Sequence, residues 1–451
     1  RDAQESRGLG DVYKRQGYTE DGVLMGVPIL TEPEAAGSNF NVPRSTFVDC
    51  MKALKEDARL ALEGLPWEYG DAAEMQRLSA KYAGADQGKV TRVFGANFIG
   101  RMSGKVVEAF VAKADLLAAS PAYSDQSGVD WKTAAASAAK VLNHIGGVDG
   151  MDPTGWTWYC NVDDIEKLSP TESPAEILWR GERAKSLSLE EDNFPPTLYG
   201  NGRINPTQNL VDAFPMLNGY PVSHLSGEYD ENLPYANRDP RLEAYILYNG
   251  CKAGNTNKEI FTAADGTTND ALNKVVGRST RTGYYLRKLL RQDISLDPNA
   301  KADQYHYTPR IRYTEIFLAY AEAANQAYGP QDKGGNGYSA YDVVKKLRHR
   351  AGIGRDNGDA YLESIKNDQA KMAELIRNER RIELCFEGFR FWDLRRWKSN
   401  LTETAKGMNI SGTRYTPMEV DKRSFSEYMY YGPIPYSEVL KYDELKQNQG
   451  W

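Results

Sequence analysis

Between Arg377 and Trp397 the chain reads RNERRIELCFEGFRFWDLRRW, which sets six arginines and four carboxylates among five aromatic rings. Three kinds of chemistry use such residues. Paired carboxylates can do general acid–base work, as in glycoside hydrolysis. Arginines interleaved with aromatic rings can grip nucleic acid. Carboxylates facing guanidinium groups can brace a core. The overall charge speaks against the second: 62 Asp and Glu against 56 Lys and Arg give a net charge of −6 over 451 residues. Phosphate binding needs an excess of basic groups, so no nucleic-acid partner is expected.

Catalytic signals are weak. A glycosidase needs two carboxylates about 5–10 Å apart, which spacing along a chain does not reveal. There is no serine nucleophile elbow, no P-loop and no GxGxxG opening a helix. His144, His224, His306 and His349 are scattered, and Cys50, Cys160, Cys251 and Cys385 form no CxxC pair. Two disulfides and four free thiols both fit that spacing. Asp356 and Asp359 in RDNGDAY resemble a fragment of a calcium loop, but the closing Glu is out of register. No cofactor and no metal ligand is assigned; a calcium ion held by loop oxygens elsewhere stays open.

The elements that must position any site alternate between two textures. VPRSTFVDCMKALKEDARLALEGLP predicts a helix with Ser45 as N-cap, an apolar face through Phe47, Met51, Leu54, Ala58 and Leu62, and Gly64 with Pro66 as its stop. A second helix is predicted over Phe94–Ala119 and a third over Asp130–Ile145, where small Ala residues permit close packing. Residues 146–310 are rich in Gly, Pro, Asn and Tyr, with short strands expected at Leu242–Tyr248 and Tyr284–Leu290. Helices resume near Arg310, and one starting near Leu362–Gln369 runs into the charged stretch. Hydrophobic residues make up 41% and charged residues 26%, a core-forming composition, and no apolar run reaches the ~18 residues of a membrane helix. The predicted fold is mostly α: tetratricopeptide-like helical pairs, a degenerate α-solenoid, with a large loop-rich lobe containing short strands. Its predicted layout is a leader outside the fold over 1–21, a helical part over 22–145, an irregular ligand-facing lobe over 146–310, and a helical part with a turn-rich tail over 311–451.

Several ordered blocks carry a family likeness. They are GVPILTE (Gly26–Glu32), GRMSGKVVEAFVAKADLLAASP (Gly100–Pro121), NPTQNLVDAFPMLNGYPV (Asn205–Val222), RDPRLEAYILYNG (Arg238–Gly250), TGYYLRKLL (Thr282–Leu290), YTEIFLAYAEAANQAYG (Tyr313–Gly329), LRHRAGI (Leu347–Ile353), the charged stretch itself, and PIP with a final NQGW. Together they resemble the SusD/RagB family of outer-membrane, glycan-binding lipoproteins of Bacteroidetes. The resemblance implies a non-enzymatic protein on the outer face of the outer membrane. It would capture oligosaccharide or another nutrient for a SusC-like TonB-dependent transporter, which meets the helical half. It also implies a lipidated Cys and first helices that find no counterpart here; Cys50 lies inside a predicted helix and is not that anchor. Two other readings stay open: a tetratricopeptide-like scaffold binding peptides, and a glycoside-cleaving enzyme.

Sugars offer apolar C–H faces to flat rings and hydroxyls to polar side chains, so loop aromatics with polar neighbours are the candidate ligand residues. DPTGWTWYCNVDD supplies Trp156, Trp158 and Tyr159; FPPTLYGNGR supplies Phe194, Tyr199, Asn201 and Arg203; PWEYG supplies Trp67 and Tyr69. Trp156 and Trp158 face opposite sides if that segment is extended, so one of them is a candidate core plug. In the charged stretch, ~100° per residue places Leu375, Ile382 and Phe386 on one stripe and turns Glu379 and Glu383 inward with it. Arg380, Arg390, Arg395 and Arg396 are the nearby cations. The stretch is therefore expected to be a structural brace of Glu379, Arg380, Glu383, Glu387, Arg390, Asp393 and Arg396.

Overall fold

A computed structural model describes residues 16–451 apart from 34, 36, 83–84 and 170–171. The fold is mostly α. The expected leader lies largely outside the described residues, but its end is folded: Gly17–Tyr18 (β1) pairs with Leu24–Met25 (β2), and Gln16 is buried.

The first helical part holds α1 (Phe47–Gly64), α2 (Ala72–Lys81), α3 (Gln87–Phe94), α4 (Gly104–Ala119) and α5 (Trp131–Asn143). Thr46, one residue past the predicted Ser45, caps α1 by accepting from the Asp49 N–H. Asp130 caps α5 through the Thr133 N–H at 2.8 Å. Of the single helix predicted over 94–119, only 104–119 is helix (α4): α3 ends at Phe94, and the residues between hold one 3-10 turn, Ala96–Phe98. A Cβ on Gly95 would meet the Thr91 carbonyl oxygen at 2.4 Å, and Gly100 has φ +92°, a conformation no other residue adopts without strain. Apolar periodicity continues through this break, which is why spacing alone did not reveal it.

The second helical part comprises α10 (Tyr313–Tyr328), α11 (Ala340–Arg350), α12 (Ala360–Ile365), α13 (Gln369–Glu383) and α14 (Arg390–Arg396). Helix α10 is central and packs against α4, α5, α11 and α13. Its Ala321, Ala323 and Ala324, with Ala134, Ala135, Ala138 and Ala139 of α5, are fully buried. Side chains this small let helix axes approach closely. A Ser339–Asp342 capping box starts α11.

Among the described residues between these parts lie four short α-helices: α6 (Val162–Lys167), α7 (Ser188–Asn193), α8 (Gln208–Val211) and α9 (Pro240–Tyr245). The strands there pair two by two: β3 (Ile177–Arg180) with β10 (Pro309–Arg312), β4 (Ala184–Ser186) with β9 (Gln304–His306), β5 (Ile246–Leu247) with β8 (Tyr285–Leu286), and β6 (Lys252–Ala253) with β7 (Lys258–Glu259), all antiparallel. The strand expected at 242–248 is mostly helix α9, because Asp239 caps it and Pro240 opens it. The tail contains a hairpin that the periodicity reading missed, β11 (Ala405–Ser411) with β12 (Arg414–Asp421), turning at Gly412. All four cysteines are free thiols.

Candidate functional site

Helix α13 does present Glu379 and Glu383 inward, and both are fully buried. Their partners are not the neighbouring arginines. Arg241 of α9 reaches Glu379 at 2.8 Å and Glu383 at 3.1 Å, Arg348 of α11 reaches Glu379 at 2.8 Å, and Arg350 reaches Glu383 at 3.3 Å. Arg312 of β10 bridges Glu176 and Glu387, each at 2.7 Å, and donates to the Glu383 carbonyl. Lys288 binds Glu387 at 2.6 Å and the Glu383 and Cys385 carbonyls, so two cations sit at the C-terminal end of α13. A separate set joins Asp393 to Arg380 and Arg396, and Arg396 to Glu322. The expected pairing along the stretch is thus corrected. Arg380 and Arg396 lie on other faces of their helices, whereas the inward face meets segments distant in sequence. Arg390 forms no ion pair among the described residues.

Electrostatics follow from this wiring. Burial alone would raise the Glu383 carboxyl, but Arg350, Arg241, Arg312 and Lys288 outweigh it and hold the group at about 2. Glu387 is likewise kept below the usual carboxylate range, with Arg312 and Lys288 overcoming burial. Carboxylates held this firmly as anions are poor proton donors near neutrality.

Trp158 and Tyr159 sit in the wall of a cavity of about 530 Å³ between the irregular lobe and the start of α10. Both are largely buried, Trp158 at 8% exposure, and the Tyr159 hydroxyl donates to the Ala244 carbonyl at 2.6 Å. The Tyr307 ring lies 5.6 Å from that of Trp158, tilted by 48°. Phe386 and Phe389 add apolar wall, while Glu182, Ser188 and Arg310 are exposed polar groups of the lining. Three buried polar atoms on this lining make no hydrogen bond among the described residues: the Trp158 indole N–H, Nε2 of His306, which lies 3.4 Å from Glu190, and Oε2 of Glu315, whose Oε1 binds Lys113 at 2.8 Å. Tyr307, Arg310, Glu182 and Phe389 were missed in the sequence: Arg310 lies in β10, Glu182 and Tyr307 in the short links between strands, and Phe389 just before α14, none of them in the long Gly- and Pro-rich loops that composition singles out.

The other candidates lie elsewhere. Trp156 is half-buried against the lobe core, and its carbonyl accepts from Tyr245 at 2.8 Å. Phe194 is 1% exposed, with its ring covered in the core. Tyr199 is 47% exposed beneath Lys258, and Arg203 pairs with Asp192 at 3.0 Å near half-buried Asn201. Trp67 stacks on His144 at 3.6 Å, and the Tyr69 hydroxyl donates to the Met102 carbonyl at 3.1 Å, so both tie the first helices together. None of these lines the aromatic cavity. Asp359, from the calcium-like fragment, is bound to Arg348 at 2.6 Å, and among the described residues no cluster of three or more His, Cys, Asp or Glu is arranged to hold a metal.

A family model described as the SusD family matches residues 179–451. SusD-like protein P2 of Formosa agariphila is 32% identical over 152 residues, which are 33% of this chain and 26% of that protein. SusD-like protein P38 of the same organism is 33% identical over 85 residues, 19% of this chain and 16% of that protein. The matches thus span about a quarter and about a sixth of these curated relatives. Among solved structures, a SusD-like protein from Bacteroides fragilis superposes with TM-score 0.69 at 24% identity, covering 98% of this chain and 77% of that one. A SusD-like carbohydrate binding protein from the same species gives TM-score 0.67 at 21% identity, with the same coverage. Both likenesses concern the fold.

Proposed function

The chain belongs to the SusD family, and on that premise we propose that it is a non-catalytic binding protein of the cell surface. It captures oligosaccharide at the outer membrane and hands it to a SusC-like TonB-dependent transporter. The observation that carries this reading is the cavity walled by Trp158, Tyr159 and Tyr307 with Glu182, Ser188 and Arg310 on its lining. Flat rings beside exposed hydrogen-bonding groups suit a ligand with apolar C–H faces and many hydroxyls. A structural neighbour carries the words carbohydrate binding in its name, which supports the same class. Against catalysis stands the state of the buried carboxylates: Glu387 is locked by Arg312 and Lys288, and Glu315 is held by Lys113.

Calorimetry with a panel of oligosaccharides, run beside a reducing-end assay, tests this. Saturable binding without new reducing ends is expected, and Arg310→Ala with Glu182→Gln should weaken it about tenfold with the fold intact. New reducing ends would establish the glycosidase reading instead. Absence of binding to any glycan, with a peptide library retained, would establish the scaffold reading. For the transporter, purification of a lipidated full-length chain from membranes should recover a β-barrel partner.

A further inference from the structure

The charged stretch has a second side. On the outward flank of α13 and α14 lies an open pocket of about 430 Å³. Arg377, Arg381 and Arg390 converge on it. Arg380 and Arg396 of the same stretch are bound to carboxylates, whereas Arg381 and Arg390 make no hydrogen bond and no ion pair among the described residues. Arg377 meets only the face of Trp397, 5.1 Å away. Glu374 and Glu403 also line the pocket. Both are exposed, and Glu403 lies 3.7 Å from Arg423. Three guanidinium groups therefore face two rim carboxylates, one of them shared with a further arginine. Burial pulls Arg390 down to about 10, with the Arg381 charge acting in the same direction, and Arg381 is lowered by its own burial. Half-buried cations that destabilise one another are costly unless something answers them.

We propose that this pocket binds an oxyanion, a carboxylate or a sulfate carried on a ligand of about one sugar unit, at a site separate from the aromatic cavity. Guanidinium forks match the paired oxygens of such groups. Asn378, Ser399 and Asn400 supply neutral polar groups beside them, and Trp397 supplies part of an apolar wall. The inference does not depend on what the aromatic cavity takes.

The test is titration of the intact chain with glucuronate, glucose 6-sulfate, inorganic sulfate and glucose at constant ionic strength. Saturable binding of an oxyanion ligand, at least tenfold tighter than glucose, is expected. Glucuronate alone, or the sulfated ligands alone, would identify the group recognised. Arg381→Gln and Arg390→Gln should each weaken that binding about tenfold while the thermal midpoint stays level or rises, because mutual repulsion is relieved. No preference over glucose would overturn the proposal. So would variants that bind as well as the parent, or variants whose midpoint falls by several degrees, which would mark these arginines as bracing.

Discussion

The helical half and the irregular half are filled by different residues. Alanines such as Ala109, Ala112, Ala134, Ala138 and Ala323 are the commonest residues of the first core, whereas the second is built of Ile and Leu with Tyr159, Tyr245, Tyr284, Tyr285 and Tyr307 among them. A helix satisfies its own backbone, so its packing face needs only small, apolar side chains. A lobe whose strands are two to four residues long leaves carbonyls unmatched, and buried carbonyls require donors. Tyrosine provides apolar bulk and a donor together. Tyr245 donates to Trp156, Tyr159 to Ala244 and Tyr285 to Asp270, at 2.8, 2.6 and 3.0 Å. The excess of 28 Tyr over 13 Phe thus partly reflects how an irregular backbone is hydrogen-bonded.

The buried ionic network joins these two cores, with Arg348 and Arg350 from the helical half and Arg241 and Arg312 from the lobe side meeting on Glu379 and Glu383. Cutting it should give the largest effect. Glu383→Ala should cost roughly 3–5 kcal/mol in urea unfolding, because Arg241, Arg312 and Arg350 each lose a buried partner. Glycan specificity of the folded fraction should not change; loss of binding in a fully folded variant would mean that the network belongs to the ligand site. The same carboxylate predicts the acid response. Its folded-state value of about 2 lies below the ordinary 4.5, so its contribution is complete above about pH 4.5 and drains away as pH falls toward about 2. Glu383→Gln should flatten that part of the stability profile.

Smaller effects separate the two cores. Ala138→Leu, clasped among fully buried helix residues, should cost about 3 kcal/mol by overpacking. Tyr245→Phe keeps the volume but strands the Trp156 carbonyl, and should cost on the order of 1–2 kcal/mol. If Tyr245→Phe were neutral, the tyrosines of the lobe would be there for bulk alone. Smallest of all, Arg310→Ala should leave the unfolding midpoint nearly unchanged, within about 0.5 kcal/mol, while weakening glycan binding.

Much of the helical half was legible. Apolar spacing and caps located α1 and α5 nearly to the residue, and the ordered blocks named the family. The break before α4 and the hairpin β11–β12 escaped for different reasons. The break depends on a glycine φ and a backbone clash rather than on polarity; the hairpin alternates only weakly and turns at a single Gly412. For ligand residues, loop aromatics placed Trp158 and Tyr159 on the cavity but also selected Phe194, which burial covers.

By itself, the sequence determined that Glu379 and Glu383 point inward, because the 3.6-residue period of a helix ties spacing to facing. It could not determine what they meet there. Partners for a buried charge come from whichever segments the fold carries to that face, here α9, α11 and β10. The same three-dimensional fact left Arg381 and Arg390, one turn or one link away, without any partner among the described residues. Identical guanidinium groups thus became brace or open pocket according to tertiary position, because the strength of a charge pair depends on burial and distance rather than on separation along the chain.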